Sequence, residues 1–376
     1  KTGRGHRAFV IEGDPAMGFE EAARRRDFTI NAILEDPLTG EILDPYDGRE
    51  DLQNKLLRAV SRDTFPEDSL RVLRAAQFAA RFEFEIEDGT VNLCRSIDLT
   101  DLPRERVWGE MEKLLLRARQ PSIGFRWLHK FGTFDQLFPE LKALVGVPQQ
   151  HEWHPEGDVD IHTWLVVDRA RELIDDLPYA KQVTVMLAAL CHDFGKPATT
   201  KFEDGKWRSR GHEEAGVEPT ESFLDRLNIH TLDGYDARAQ VVALVRDHLK
   251  PGEFYKKRDE VGDGAFRRLA RRCELELLYR VARADSLGRN AEWVPRECWF
   301  TAEAQEWFIA RARELEVDAR PPAPILMGRH LLEMGLQPGP RLGQITRAVY
   351  EMQLDGRVTS LDEAKEAARE IIAAGE

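Results

Sequence analysis

The sequence predicts a mainly α-helical chain in which a few residual β-strands come first and helical segments follow. Beyond about Pro66, apolar residues recur at intervals of three and four, the period of an amphipathic helix. Before that point, short apolar pieces at 8–11 and 42–45 alternate with turn signals rich in Gly, Pro and Asp. With 376 residues, 42% of them hydrophobic, the chain can form roughly two or three domains with real cores.

Composition excludes several classes of protein. The longest apolar runs fall far short of the roughly 20 residues of a membrane span, and no secretory leader is visible. The four cysteines are widely spaced, which favours a reducing cytoplasm over a disulfide framework. The net charge is −13, but affinity for phosphate depends on local patches, and basic residues concentrate at 101–130 and 246–283. Solvated helix faces are the alternative explanation of these patches.

Two proline-containing segments divide the helical part. Residues 148–155 and 321–324 interrupt the helical pattern and are expected to be linkers. Residues 30–34 could form either a helix or a strand. We therefore divide the chain into four segments, 1–60, 61–148, 149–320 and 321–376.

The helix that begins near residue 70 carries a polar group suited to nucleotide recognition. Asp68, Arg71 and Arg74 lie three residues apart and share one side of the helix. A carboxylate beside a guanidinium offers an acceptor and paired donors to the edge of a base. A second arginine can hold phosphate through two hydrogen bonds. Surface ion pairs are the alternative.

A set of histidines and aspartates is predicted to converge in the third segment. His192 and Asp193 end an apolar helix, and Gly195 and Pro197 follow as stop signals. Three further residues lie on the apolar stripes of other predicted helices, and one lies at a helix start. These are His162, His248 and Asp285 on the stripes and His212 at the start. Taken singly, each histidine could be an ordinary core or surface residue.

Several imidazoles and carboxylates that face one core are costly to bury unless a cation compensates them. Mixed His and Asp donors suit a divalent metal, and Mg²⁺, Mn²⁺, Ni²⁺ and Co²⁺ all tolerate this set. Such a metal lowers the pKa of bound water for phosphoester hydrolysis. We expect His192 and Asp193 to be the catalytic pair of this site.

The order His162, His192-Asp193, Asp285, with His212 and His248 between, resembles the HD superfamily of metal-dependent phosphohydrolases. Motifs outside this set narrow the resemblance. They are KTGRGH at 1–6, RRDFTINA at 25–32, DPYDG at 44–48, EDSLRVLR at 67–74, ERVWGEM at 105–111 and WHPEGD at 153–158. In their order and in their amino acids, these motifs resemble the bacterial class of CCA-adding tRNA nucleotidyltransferases, in the form that carries an appended HD domain.

The resemblance implies roles for particular residues. Arg26 and Arg74 would contact the nucleoside triphosphate, and Asp68 and Arg71 would pair with incoming CTP or ATP. The segments would be a remnant of the nucleotidyltransferase head (1–60), a helical neck and body (61–148), an HD domain (149–320) and a helical tail (321–376). Mg²⁺ would support nucleotidyl transfer. The acceptor arm of tRNA would contact basic residues of the body, namely Arg104, Arg106 and Lys113.

The sequence departs from this family at its front. Such enzymes carry a Gly-Gly turn and an Asp-x-Asp pair for magnesium, and neither occurs in the opening stretch. Asp158 and Asp160 have the second spacing but fall in the expected linker. The pattern is that of an enzyme missing its front, so the sequence leaves open whether this chain alone transfers nucleotides. It also leaves open a stand-alone phosphohydrolase, an RNA-binding partner of a separate catalytic head, and the oligomeric state.

Overall fold

The computed structural model describes residues 17–374 and confirms a mainly helical fold with a few short strands. The chain divides into two compact units. The first comprises residues up to Arg246 together with Arg283–Thr301, and the second comprises Asp247–Ala282 and the residues from Ala302 onward. The strand expected at 8–11 and the motif at 1–6 lie outside the described residues. None of the helices between residues 17 and 374 is long and apolar enough to cross a bilayer.

The helices are, in chain order, α1 (Phe19–Arg24), α2 (Gly48–Gln53), α3 (Leu70–Phe82), α4 (Asp88–Ser96), α5 (Arg104–Arg117), α6 (Pro121–Lys130), α7 (Thr133–Leu137), α8 (Pro139–Leu144), α9 (Val159–Arg171), α10 (Tyr179–Cys191), α11 (Lys196–Thr199), α12 (His212–Ala215), α13 (Val217–Arg226), α14 (Ala237–Asp247), α15 (Lys250–Lys256), α16 (Asp263–Ala270), α17 (Leu275–Gly288), α18 (Glu303–Glu314), α19 (Gly328–Glu333), α20 (Pro340–Leu354) and α21 (Leu361–Ala374).

The strands are two or three residues long and pair two by two. The antiparallel pairs are β1 (Leu34–Glu35) with β2 (Ile42–Leu43), β5 (Lys201–Glu203) with β6 (Lys206–Arg208) and β7 (Thr231–Leu232) with β8 (Tyr235–Asp236), and the parallel pair is β3 (Leu56–Leu57) with β4 (Glu85–Ile86). Residues 30–34, for which the sequence allowed a helix or a strand, contain parts of both. They begin in a 3₁₀ turn at Thr29–Asn31 and end in β1.

Helices α3, α5 and α6 pack against one another. The apolar stripe of α3 is buried, as its spacing of three and four predicts. A glycine allows the three helices to approach closely. A Cβ atom on Gly124 of α6 would lie 2.4 Å from Leu114 of α5 and 3.1 Å from the carbonyl oxygen of Ala76 of α3. Any larger residue there would force these helices apart.

A second helix group in the same unit positions the histidines and aspartates. Helix α10 is buried from Val183 to its end, and α9 packs against it. Helix α9 begins at Val159, so Asp160 lies in its first turn and not in a linker as expected. The last residue of α17, Gly288, meets α9 closely, since a Cβ there would lie 2.6 Å from Val166 Cγ2.

The second unit has its own apolar packing. Phe266 of α16 contacts Phe254 of α15 and Phe308 of α18, with ring centroids 5.1 and 5.2 Å apart respectively. Helices α19, α20 and α21 enclose a small separate core that includes Leu331, Ile345 and Ala368. The C-terminal block expected after 324 is therefore helical.

Candidate metal centre and nucleotide site

His192 and Asp193 lie at the end of α10, as predicted, and both are buried. The Nδ1 of His192 donates to the carbonyl oxygen of Ala189 at 2.7 Å. Its Nε2 lies 3.1 Å from Oδ2 of Asp193. The backbone bond to Nδ1 orients the ring so that Nε2 faces this carboxylate oxygen. Buried imidazole nitrogens and carboxylate oxygens gathered in this way form a site that a cation stabilises.

His212 shows the same arrangement. Its Nδ1 donates to the carbonyl oxygen of Ser209 at 2.7 Å, and its Nε2 faces Oδ1 of Asp193 at 3.4 Å. A backbone carbonyl that holds one ring nitrogen fixes the tautomer, and the other nitrogen is then available to a metal. Asp193 is thus the residue on which the two histidines converge.

His162 joins the site from α9. Its Nε2 lies 3.1 Å from Oδ1 of Asp285 on α17 and 3.9 Å from Oδ2 of Asp193. Its ring centroid is 5.4 Å from that of His192. Within the first unit, the structure brings together five residues assigned to the metal from sequence, namely His162, His192, Asp193, His212 and Asp285. The sixth, His248, is buried and belongs to the second unit, and its role stays a prediction.

Two cations flank the carboxylates. Lys196 Nζ lies 2.8 Å from Oδ2 of Asp193 and also donates to Oε1 of Gln149, and Arg289 lies 3.5 Å from Oδ1 of Asp285. Burial alone would raise the pKa of Asp193, but His192 and Lys196 outweigh it and hold that pKa well below its usual range. Burial is likewise outweighed at Asp285, where Arg289 and His162 keep the pKa well below its usual range. Both carboxylates are ionised.

These donors fit a divalent metal. His162 and His192 each offer a ring nitrogen and Asp193 a carboxylate oxygen, and the three ligand atoms lie within 4.8 Å of one another. Imidazole and carboxylate ligands suit first-row divalent ions and Mg²⁺. The convergence of buried ring nitrogens and carboxylate oxygens on Asp193 supplies the physical reason for a cation. Asp285 faces the same Nε2 of His162 as Asp193 does, and it is positioned as a further carboxylate of the set.

Sequence reasoning did not assign Glu156 and His154 to the site. Oε1 of Glu156 lies 2.7 Å from Nδ1 of His162 and 2.8 Å from Nδ1 of His154. Burial would raise the pKa of Glu156, but hydrogen bonds from the two histidines lower it to about 2. Burial lowers the pKa of His154 to about 3, so that ring is neutral. The available signal was the WHPE motif, which places a histidine and a carboxylate just before the His162 helix.

The nucleotide residues lie at the start of α3. Arg106 of α5 contacts Asp68 with two nitrogens, at 3.1 and 3.3 Å from the two carboxylate oxygens. Burial would raise the pKa of Asp68, but Arg106 holds it below its usual value. Arg106 was assigned to RNA binding from sequence. The structure places it beside the residue that was assigned to base recognition.

The other residues assigned to nucleotide or RNA binding differ in their exposure to solvent. Arg71 is buried, and its guanidinium donates to the carbonyl oxygens of Thr64, at 2.7 Å, and Arg25. Arg74 is partly exposed and pairs with Asp27 at 2.6 Å. Arg26 and Arg104 are exposed to solvent. Lys113 pairs with Glu110 at 2.9 Å and is half exposed.

Three family models match this chain. The "HD domain" matches residues 159–290, which contain the converging histidines and aspartates. The "Poly A polymerase head domain" matches residues 9–58, and the "Probable RNA and SrmB- binding site of polymerase A" matches residues 83–144.

Relatives with a shared name match most of the chain. A multifunctional CCA protein of Stenotrophomonas maltophilia (strain R551-3) is 41% identical over 306 residues, which is 77% of this chain and 70% of the relative. A multifunctional CCA protein of Xanthomonas euvesicatoria pv. vesicatoria is 38% identical over 363 residues, or 93% of this chain and 81% of the relative. The resemblance inferred from the sequence motifs is thereby confirmed.

Solved structures share the fold. The Bacillus stearothermophilus CCA-adding enzyme in complex with CTP matches with a TM-score of 0.59 and 19% identity, and the match covers 95% of this chain and 76% of that one. The Thermotoga maritima CCA-adding enzyme complexed with tRNA matches with a TM-score of 0.51 and 18% identity, covering 95% and 74%. At these identities the likeness is one of fold.

Proposed function

The chain belongs to the family of multifunctional CCA proteins, and from this premise we propose that it acts on the 3′ end of tRNA in two ways. It selects CTP and ATP for the addition and repair of the terminal CCA, and it hydrolyses phosphate esters at the His162–Asp285 centre. The observation that carries the second activity is the convergence of buried histidines on Asp193. The divisions 1–60, 61–148, 149–320 and 321–376 are proposed as head remnant, neck and body, HD domain and tail.

The nucleotide part of the proposal assigns base choice to Asp68 and Arg71. The bidentate Arg106 contact fixes the Asp68 carboxylate, and the bonds from Arg71 to two backbone carbonyls fix the start of α3. A fixed carboxylate can accept a hydrogen bond from the amino group of cytosine or adenine. Uracil has a carbonyl oxygen in place of that amino group, so it cannot donate this bond. Arg26 and Arg74 are proposed to meet the triphosphate. Arg104 and Lys113 are proposed to meet the tRNA acceptor arm together with Arg106.

The phosphohydrolase part assigns the metal to His162, His192, Asp193, His212 and Asp285, with His248 kept as a sequence-based candidate. A divalent metal held by these residues would supply a hydroxide at neutral pH and would polarise the phosphate. Lys196 and Arg289 carry positive charge at the edge of the carboxylates, where they can neutralise phosphate oxygens as negative charge accumulates. Glu156 holds the His162 ring in one orientation. Mg²⁺, Mn²⁺, Ni²⁺ and Co²⁺ are the candidate ions, and Mg²⁺ is proposed for nucleotidyl transfer.

The proposed location is the cytoplasm. All four cysteines, Cys94, Cys191, Cys273 and Cys298, are free thiols, and free thiols persist in a reducing compartment.

The test combines hydrolysis with nucleotide binding. The purified chain is assayed for hydrolysis of 2′,3′-cyclic AMP with each of the four metals, and its affinity for CTP, ATP, UTP and GTP is measured by calorimetry. We expect metal-dependent hydrolysis that His192→Ala and Asp193→Ala abolish, whereas His230→Ala, at an exposed histidine, retains it. We expect CTP and ATP to bind more tightly than UTP. Hydrolysis without any nucleotide binding would favour a stand-alone phosphohydrolase, and hydrolysis that survives in His192→Ala would contradict the metal centre.

A further inference from the structure

Several large aromatic side chains of the first unit are exposed, and in sequence they lie close to residues of the metal centre. Phe202 and Trp293 are each 60% exposed, Trp153 is 59% exposed and Trp207 is 37% exposed. We call these four residues the aromatic rim. Exposed aromatic rings that cluster on a surface are a mark of an interaction site, because they gain free energy when a ligand covers them.

Two rim residues lie on the β5–β6 hairpin, which is attached to the centre at both ends. The hairpin begins just after α11, whose first residue Lys196 contacts Asp193. The next residue after β6 is Ser209, whose carbonyl oxygen accepts from Nδ1 of His212. Phe202 and Trp207 are cross-strand partners with ring centroids 5.0 Å apart. Their rings therefore share one face of the hairpin.

The other two rim residues are connected through the segment 149–157. The backbone N–H of Trp207 donates to Oε1 of Gln150 at 3.1 Å, and Trp293 Nε1 donates to the carbonyl oxygen of Glu156 at 3.1 Å. Trp153 lies between these two points in the chain. Since the Glu156 side chain contacts His162, the aromatic rim borders the segment that ends at the metal centre.

Positive charge accompanies the rings. Within residues 17–374, neither Lys201 nor Arg210 forms an ion pair, and both are exposed. Lys206 pairs with Glu152 at 2.9 Å, and Arg208 lies 3.9 Å from Asp204. Unpaired cations beside exposed rings suit a ligand that alternates planar bases with phosphates, which is single-stranded nucleic acid.

We propose that the aromatic rim binds the unpaired 3′-terminal nucleotides of RNA by stacking, and thereby delivers the terminal phosphate ester to the metal centre. This proposal rests on the proposed phosphohydrolase function, because that function makes the 3′ end of the RNA the end that reacts. Phe202 and Trp207 stack on bases, and Lys201 and Arg210 contact the phosphates that join them. A small ester such as 2′,3′-cyclic AMP reaches the metal without help from the rim.

The experiment measures the binding of a fluorescein-labelled, single-stranded A8 RNA to the full chain by anisotropy in EDTA. We expect Phe202→Ala and Trp207→Ala each to weaken binding at least roughly fivefold, the lower bound for a lost base stack. Trp207→Phe keeps a π face and is expected to retain most of the affinity. Lys201→Gln is expected to lower the slope of log affinity against log salt by about 0.7, the value for one phosphate contact of a single strand. The matched control is Tyr179→Ala, which removes an aromatic residue of similar exposure, 38%, at the start of α10, and it is expected to bind as the unmodified chain does.

Four outcomes bear on the proposal. Rim variants that lose A8 affinity but keep hydrolysis of 2′,3′-cyclic AMP would support it. Rim variants that bind A8 within twofold of the unmodified chain would overturn it and leave the rim to a protein partner. Equal losses of binding and of cyclic-AMP hydrolysis would also overturn it, because they would indicate general structural damage. An unmodified chain that hydrolyses no ester but binds A8 through the rim would refute the phosphohydrolase function and leave the RNA site standing.

Discussion

His162 and Asp285 are 123 residues apart in the chain, and Nε2 of the first lies 3.1 Å from Oδ1 of the second. This contact requires α9 and α17 to approach closely, and Gly288 permits the approach because it has no Cβ to meet Val166. The metal centre therefore depends on a helix packing contact that involves none of its ligands.

Gly288→Ala tests this dependence. The added methyl would lie 2.6 Å from Val166 Cγ2 and 3.0 Å from the Val166 backbone nitrogen, so α17 must shift. Overpacking of this kind costs about 1–3 kcal/mol. We expect a lower thermal midpoint and weaker Mn²⁺ binding by calorimetry. Gly109→Ala is the matched control, because a Cβ there has no neighbour within 4 Å in the described chain and Ala favours the helix. Equal effects of the two substitutions would contradict the packing argument.

Glu156→Gln tests the residue behind His162. Loss of the carboxylate removes the charged partner of His162 Nδ1, which orients the ring and makes its other nitrogen a better ligand. We expect Mn²⁺ affinity to fall by roughly 10- to 100-fold, as is common for such partners, with an unchanged thermal midpoint for the metal-free protein. Glu172→Gln, at an exposed carboxylate just after α9, should leave the affinity unchanged. Unaltered metal affinity in Glu156→Gln would sink the assignment.

Arg106→Ala tests the fixed carboxylate of the nucleotide site. Without Arg106, Asp68 loses both of its bidentate bonds and can turn away from the base. We expect the preference for CTP and ATP over UTP to shrink, as we also expect for Asp68→Ala and Arg71→Ala. Arg104→Ala should instead weaken tRNA binding and leave the nucleotide preference intact, since Arg104 is exposed. Calorimetric titration with the four nucleotides distinguishes the two, and identical behaviour of both variants would argue against a positioning role.

Asp168→Asn tests a pH dependence of stability. Oδ1 of Asp168 on α9 accepts from the backbone N–H of Ser122 in the first turn of α6. Burial raises the pKa of Asp168 to about 6 from its usual 3.8, although the bond from Ser122 and the charge of Arg126 favour the ionised form. A carboxyl with a raised pKa in the folded state stabilises that state below pH 3.8, and this contribution is lost as the pH rises through 6.

The asparagine cannot ionise, so we expect the stability of Asp168→Asn relative to the unmodified protein to increase from pH 4 to pH 7. A rise of the pKa of Asp168 from 3.8 to about 6 corresponds to about 2–3 kcal/mol. Thermal midpoints measured across this range provide the test, with Asp175→Asn at an exposed side chain as control. A difference that stays constant over the range would show that Asp168 has an ordinary pKa.

Much of the fold could be predicted because helical periodicity is local. The spacing of Leu70, Leu73 and Ala76 predicts α3, and the stop signals Gly195 and Pro197 predict that a helix ends at His192 and Asp193, where α10 does end within two residues. The first turn of α9 was missed, because Asp158 and Asp160 give it the composition of a linker. Side-chain composition alone does not distinguish a polar first turn from a loop.

The site could be predicted as a set of residues but not as a set of contacts. His162, His192 and Asp285 each lie in line with the apolar stripe of a predicted helix. This placement predicts that the three side chains face a common core. The pairing of Asp68 with Arg106 joins the segment just before α3 to α5, and the Glu156 contact with His162 depends on the path of a loop. Such contacts depend on tertiary packing, for which a single sequence carries no local signal.

We propose that the buried histidines and aspartates around Asp193 bind one divalent metal. The most direct measurement is the anomalous difference density of a crystal of the full chain grown with Mn²⁺, compared with a crystal of His192→Ala. We predict a single strong peak at roughly 2 Å from imidazole nitrogens and carboxylate oxygens of this set, and its loss in the variant. A peak bound elsewhere, or density around Asp193 that the variant leaves unchanged, would contradict the account.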